Sequence, residues 1–134
     1  MSHQYNKVLL TFLTITNQIK LYHWQTLLHP RHTASGDLYS ELDELVDKFI
    51  EVLHGKIILE NNDPNYRIIL DNKLNTITLI NYNDNNIITL ISNIKNYLES
   101  NELIVTIGRS TDLLNIRDEM LALINKTTYL FTLK

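Results

Sequence analysis

The sequence predicts an all-α protein, and three observations support that prediction. Only 3 Gly and 2 Pro occur among 134 residues, which is few for a β fold with many turns. Hydrophobic residues make up 44% of the chain and charged residues 20%, as in ordinary globular domains. Several long segments repeat apolar residues at steps of three and four, which is the period of an amphipathic helix. We therefore expect one domain over residues 1–134, folded as a four-helix bundle.

The first helix is predicted over residues 4–28. Pro30 ends this segment or begins the next one, because proline is tolerated only in the first turn of a helix. The apolar residues that share one side of the helix are Val8, Phe12, Ile15, Ile19 and Tyr22.

The second helix is predicted to begin at a polar N-cap residue, Thr33 or Ser35, and to reach His54. Gly55 is expected to stop it, because glycine is common just past the end of a helix. The apolar stripe of this helix consists of Leu38, Leu42, Leu45, Phe49 and Leu53.

Residues 57–82 have a different pattern. An Asn-Asp-Pro-Asn turn cluster is followed by two β-branched runs, 67–70 and 76–80, on either side of Asp71-Asn72-Lys73. This pattern predicts a short hairpin-like or irregular insertion between helices 2 and 3, and a helix over 73–80 is the alternative.

Two further helices complete the predicted bundle. The third is expected from Asp84 to Ser100, with an apolar stripe along one side. Gly108 breaks the chain, and Ser110 is the expected N-cap of a fourth helix that runs to the C-terminus.

Composition excludes several classes of function. The chain has no cysteine, so disulfides and thiolate sites are excluded and His, Asp and Glu are the available side-chain metal ligands. A net charge of −3 and a pI of about 5.9 argue against nucleic-acid binding. No apolar run predicts a membrane span and no leader predicts secretion, so a cytoplasmic location is expected.

Two histidines are candidate metal ligands. His23 lies near the apolar stripe of the first helix, and the alternative is a core histidine with one satisfied hydrogen bond. His32 follows Pro30 in the break before the second helix, where the alternative is an exposed loop residue. Spacing alone does not decide between these interpretations.

Carboxylates on the second helix are the other candidates. Asp43, Asp47 and Glu51 project away from its apolar stripe, as the polar side of any amphipathic helix would. Apolar residues interrupt this side, however, which is typical of a subunit interface with a polar site at its centre. Both interpretations remain open here. The apolar residues are Tyr39, Val46 and Ile50.

His54 is a weaker candidate. It follows Glu51 at the Glu-x-x-His spacing of di-iron bundles, but the chain lacks the second copy that such a site within one chain needs. A helix-end histidine is the alternative.

The segment from Lys20 to Thr26, KLYHWQT, together with His32, Leu38-Tyr39, Asp47 and Glu51, resembles the ferroxidase signature of Dps proteins. These are the DNA-protection members of the ferritin-like superfamily. Most of the chain is also similar to an uncharacterised ferritin-like family of large DNA viruses, whose members share the TDLLNIRDE-like start of the last helix.

The resemblance implies a ferritin-like bundle with a dinuclear-type metal site shared across a homodimer. His23 and His32 of one subunit would face Asp47 and Glu51 of the partner subunit. The implied metal is iron, with zinc or manganese as alternatives, and the implied activity is oxidation of Fe²⁺ by peroxide or dioxygen. A further carboxylate expected four residues after His32 falls on Gly36, which makes the adjacent Asp37 a weaker candidate.

A second hypothesis assigns the chain no cofactor and no catalysis. It would then be a viral structural or protein-interaction module that keeps the ferritin-like fold, with other viral or host proteins as partners, in the host cytoplasm or the virion. The basic tail that Dps proteins use to bind DNA is missing, which disfavours a DNA-compacting role.

Overall fold

The prediction of an all-α protein is confirmed. A computed structural model describes residues 2–71 and 76–134, and within those ranges all regular structure is helical. The helices are α1 Ser2–Gln25, α2 His29–Asn61, α3 Ile87–Leu98, α4 Asn101–Ile107 and α5 Thr111–Leu130. No helix in the described part is long and apolar enough to cross a membrane.

The helices enclose one hydrophobic cluster, to which each of them contributes. Since three residues join α1 to α2, the two helices run antiparallel and pack along their lengths. α5 packs against the other side of α2, α3 packs against α5, and the short α4 contacts α1 and α3. The α1 stripe predicted from the sequence is buried throughout.

The predicted bounds of the second helix are wrong at both ends. α2 begins at His29 with Leu28 as its N-cap, so neither Thr33 nor Ser35 caps it. Pro30 lies in the first turn, where the missing N–H costs no helical bond. This early start leaves only a tight turn between α1 and α2.

Gly55 does not stop α2, because Leu53 and Ile57 on either side of it are buried and their packing outweighs the weak helix propensity of glycine. The helix ends at Asn61 instead, with Asn62 as its C-cap. That residue adopts the left-handed conformation at φ 50° and donates its backbone N–H to the Ile58 carbonyl.

The predicted stripe of α2 also needs a correction. Leu38, Leu42, Phe49 and Leu53 are buried as predicted, but Leu45 is half-buried. Val46, which the sequence placed among the carboxylates, belongs to the core. α2 is covered by both α1 and α5, so its buried side is wider than one stripe.

The hairpin-like form of the insertion is wrong in the described residues. Residues 57–61 belong to α2, and neither 67–70 nor 76–80 forms a strand. Their backbone groups bond to helix side chains instead: Ile68 N–H donates to His54, and Ile80 exchanges two hydrogen bonds with the buried side-chain amide of Gln18. The predicted turn at residues 71–73, and the start of the alternative helix over 73–80, fall partly on residues 72–75, outside the described ranges.

The C-terminal half contains one more helix than predicted. α3 lies inside the predicted range, and Ser100 caps α4 by accepting a hydrogen bond from the Leu103 N–H. Gly108 breaks the chain at φ 63°, and Ser110 is the N-cap residue of α5, as predicted. α4 was not predicted because it is a short helix of 7 residues between its two cap residues, Ser100 and Gly108.

A carboxylate joins the turn between α1 and α2 to the chain that leads into α3. Asp84 accepts hydrogen bonds from the Tyr22 hydroxyl at 2.7 Å, from the Thr26 hydroxyl and from the Leu27 N–H at 3.1 Å. Arg31, whose guanidinium lies 4.8 Å from the Phe131 ring, donates to the Asp84 carbonyl at 3.1 Å. Desolvation raises the pKa of Asp84, but these hydrogen bonds and the Arg31 charge outweigh it and lower that pKa.

We predict that Asp84→Asn lowers the free energy of unfolding at neutral pH by roughly 1–3 kcal/mol, because an amide has only one acceptor oxygen, carries no charge, and cannot accept from all three donors of this cluster. Since folding lowers the pKa of Asp84, its stabilisation is present above the unfolded pKa and is lost as the pH falls through the folded pKa. The difference between the two proteins should therefore shrink below about pH 4.

Urea denaturation at a series of pH values measures this difference. Asp43→Asn, at an exposed position of α2, is the matched control and should leave stability nearly unchanged. Equal stability of wild type and Asp84→Asn at neutral pH would contradict the prediction.

Candidate functional site

His23 and His32 hold each other in a reciprocal contact. The Nδ1 atom of His23 lies 2.9 Å from the His32 carbonyl oxygen, and the Nδ1 atom of His32 lies 3.0 Å from the His23 carbonyl oxygen. The two rings stack with centroids 4.1 Å apart and planes 16° apart. The turn that Asp84 fixes therefore brings together the two histidines singled out in the sequence.

These contacts assign the tautomer of both rings. A carbonyl oxygen only accepts hydrogen bonds, so each neutral ring carries its hydrogen on Nδ1 and a lone pair on Nε2. A metal-binding histidine has the same arrangement, in which one nitrogen donates to a carbonyl and the other binds the ion. In both rings, Nε2 is the atom that could bind a metal.

The stacking limits what the pair can bind as it stands. An ion bound to Nε2 lies in the plane of its ring, and two stacked rings with centroids 4.1 Å apart and planes 16° apart do not share such a position. The pair therefore offers two separate acceptors, and both rings can bind one ion only if one of them leaves the stack. His32 is exposed, whereas His23 is half-buried.

Two residues that the sequence did not single out as partners surround the His23 ring. The buried Ser35 hydroxyl lies 3.2 Å from His23 Nδ1 and donates to the His32 carbonyl. A Cβ atom on Gly36 would lie 2.9 Å from His23 Cε1. Both residues lie in α2, one turn after His32. Their link to His23 depends on how α1 meets α2, which no local pattern reveals.

Asp47 and Glu51 form a pair of neighbouring carboxylates one turn apart on the exposed side of α2. A side-chain hydrogen bond with Asp47, and then its negative charge, raise the pKa of Glu51. Two neighbouring carboxylates of this kind could bind a cation between them. This is the chemistry expected of metal-ligating carboxylates.

The weaker candidates divide into two groups. Asp37 and Asp43 are exposed on α2, and Asp43 lies between Tyr39 and Asp47 in a row with four-residue steps. His54 is engaged at both nitrogens, because its Nδ1 donates to the Ile50 carbonyl at 2.8 Å and its Nε2 accepts from the Ile68 N–H at 3.1 Å. Neither nitrogen is therefore available to a metal in this conformation.

One chain does not bring the histidines and the carboxylates together. From His32 to Asp47 and Glu51 along α2 is roughly 22–28 Å at the helical rise. Over residues 2–71 and 76–134, no group of three or more His, Asp or Glu side chains could hold a metal ion. Within one chain, the two histidines, on α1 and α2, and the two carboxylates, on α2, are therefore separate groups.

The surface between the histidine pair and the carboxylate pair carries aromatic residues. Lys20 Nζ lies 5.3 Å from the Trp24 ring and 5.2 Å from the Tyr39 ring, which joins the outer sides of α1 and α2. Trp24 is 67% exposed. On α1, partly exposed leucines lie opposite the core stripe at about 100° per residue, so this helix is apolar on two sides. They are Leu10, Leu13 and Leu21.

A groove with charged side chains lies on the other side of α2. This groove, of about 540 Å³ between α2 and α5, has charged rims and an apolar floor. Its rims are formed by Glu41, Glu44, Lys48, Glu119 and Lys126. None of the candidate ligands lines this groove, so the candidate site is a surface feature of α1 and α2.

Comparison with known proteins gives one match. No curated protein and no solved structure matches the chain significantly. A family model described as a family of unknown function, DUF5856, matches residues 23–131, which include both histidines and both carboxylates. Because the match covers most of the chain, the protein belongs to the DUF5856 family.

Proposed function

We propose that the protein is a ferritin-like, Dps-like homodimer that binds a transition metal between its subunits. His23 and His32 of one chain and Asp47 and Glu51 of the partner subunit would be the ligands. The observation that carries the proposal is the reciprocal histidine contact, which leaves a lone pair on Nε2 of both rings. One ring, the exposed His32, turns out of the stack when the ion binds.

A two-fold dimer would bring the histidines of one chain close to the carboxylates of the other. If α2 of one chain runs antiparallel to α2 of its partner, the histidine end of each helix faces the carboxylate end of the other. The apolar outer side of α1, with Trp24 and the leucines, would be covered in the same step. Each dimer would then hold two equivalent sites.

The ligand set fits a borderline divalent metal. Two imidazoles and two carboxylates suit iron, and also zinc or manganese. A divalent ion would also offset the negative charges of Asp47 and Glu51, which lie one turn apart on α2. We place iron first because of the resemblance to Dps proteins.

We predict that mixing two defective variants restores metal binding. His23→Ala/His32→Ala and Asp47→Asn/Glu51→Gln should each lose the metal, because every site in either homodimer lacks half of its ligands. In an equal mixture, half of the dimers are heterodimers with one intact site each, so metal per chain should return to about a quarter of the wild-type content.

Elemental analysis of desalted protein gives the metal content, and native mass spectrometry shows the heterodimer. Glu41→Gln/Glu44→Gln is the matched control, since it removes two carboxylates from the α5 side of the same helix. Full metal retention in either defective variant, or no recovery in a mixture that contains the heterodimer, would refute a shared site.

We predict that dimer formation shields the single tryptophan of the chain, Trp24. Its fluorescence maximum should move to shorter wavelength as protein concentration rises, in step with the dimer fraction from sedimentation. Trp24→Ala should weaken the dimer by about 1–3 kcal/mol, the usual cost of removing an aromatic anchor. A monomer at all concentrations, or an unshifted spectrum in a dimer, contradicts the proposed interface.

We predict that the metal site oxidises Fe²⁺ with peroxide. Each peroxide breaks its O–O bond by taking one electron from each of two Fe²⁺ ions, and two protons complete two waters. Ferric absorbance after anaerobic mixing of Fe²⁺-loaded protein with peroxide measures the rate. Glu41→Gln/Glu44→Gln should react like wild type, and Asp47→Asn/Glu51→Gln no faster than Fe²⁺ in buffer. Equal rates in both variants would exclude this activity.

A further inference from the structure

The His23 ring lies in a position that is shaped by two small residues of α2. An added Cβ on Gly36 would come to 2.9 Å from His23 Cε1, 3.4 Å from Nδ1 and 3.6 Å from Nε2. A real Cβ does not approach another atom as closely as 2.9 Å, so any larger residue at this position would push the ring away. Gly36 is therefore a place where only a hydrogen leaves room for the imidazole.

Ser35 supplies the polar half of the same position. Its side chain is fully buried, and its hydroxyl lies 3.2 Å from both His23 Nδ1 and the His32 carbonyl oxygen. Because the hydroxyl donates to that carbonyl, its lone pair faces the Nδ1–H group of His23. The hydrogen of His23 is thus shared between two acceptors, the Ser35 hydroxyl and the His32 carbonyl.

We infer that Ser35 and Gly36 are positioning residues that fix the His23 ring and hold its hydrogen on Nδ1, so that Nε2 stays free to bind a metal. This inference rests on the proposed metal site for its purpose, but the tautomer itself exists without metal. A free neutral histidine in water prefers the opposite tautomer, with its hydrogen on Nε2. The tautomer therefore reports the contact with α2 directly.

The contact also distinguishes the roles of the two histidines. His23 is held by its packing against Gly36 and by two acceptors at Nδ1, whereas the exposed His32 has the ring stack and one carbonyl. His23 is therefore the ligand that is preset, and His32 is the ligand that moves.

Nitrogen-15 NMR of metal-free protein at about pH 8, where histidines are neutral, reads the tautomer of each ring. We expect His23 in the Nδ1–H form in wild type, and a loss of more than about half of that form in Gly36→Ala, because the displaced ring loses its acceptors. Ser35→Ala should show a smaller loss, since the carbonyl acceptor remains. His23→Gln assigns the signal.

Two controls keep the result interpretable. Gly55→Ala introduces the same methyl group in the same helix, where no atom lies within 4 Å, and it should leave the His23 tautomer unchanged. His54, held between Ile50 and Ile68, should remain in the Nδ1–H form in every folded variant. An Nε2–H signal from His23 in wild type, or an unchanged Nδ1–H signal in Gly36→Ala, would overturn the inference.

Zinc titration separates this inference from the proposed function. Gly36→Ala should lower zinc affinity by about 10–100-fold, as loss of an orienting partner usually does, while Gly55→Ala keeps the wild-type affinity. If wild type has the expected tautomer but binds no metal, the proposed function fails and the positioning role stands. If Gly36→Ala binds zinc as tightly as wild type, the positioning role fails and the metal site stands.

Discussion

The carboxylate of Asp84 fixes the turn on which the arrangement of α1 and α2 depends. It bonds to Tyr22, Thr26 and Leu27 at the end of α1, while Arg31 in the first turn of α2 donates to its carbonyl. Asp84 therefore bonds to residues on both sides of the turn, to Tyr22 through its carboxylate and to Arg31 through its backbone carbonyl. These two residues are next in sequence to His23 and His32. The bonded turn positions His23 and His32 opposite each other, although the Asp84 carboxylate contacts neither ring.

The candidate ligands form two chemically different groups, a pair of imidazoles and a pair of carboxylates. Near the start of α2, the His23 and His32 rings each donate their Nδ1 hydrogen to the backbone carbonyl of the other histidine. Further along, a side-chain hydrogen bond with Asp47, and then its negative charge, raise the pKa of Glu51. The histidine pair has free Nε2 lone pairs that could bind a Lewis acid. The carboxylate pair has negative charge that a cation could balance. In the proposed dimer, metal bound between the subunits would interact with both groups, whereas in a single chain they lie roughly 22–28 Å apart along α2.

Local patterns predicted most of the helices, but the packing between them only in part. Apolar periodicity gave the core of α1 because the buried side of that helix follows a helical stripe, but α2 is covered on two sides, so Val46 joined its core and Gly55 failed to end it. The β-branched runs after α2 formed no strand in the described residues because helix side chains took their hydrogen bonds. Asp84 was missed as a partner of Tyr22 because 62 residues separate them.

In the proposed Dps-like site, Gly36 would be a departure from the Dps pattern. Where that pattern leads us to expect a further carboxylate, the chain has a residue without a side chain, and the His23 ring occupies the space. In the proposed site, this exchange removes one negative charge and adds rigidity to an imidazole. Hard, oxygen-seeking ions such as Mg²⁺ lose more from that change than Fe²⁺ or Zn²⁺, which bind nitrogen well. The substitution would therefore shift the site toward nitrogen-binding metals rather than abolish it.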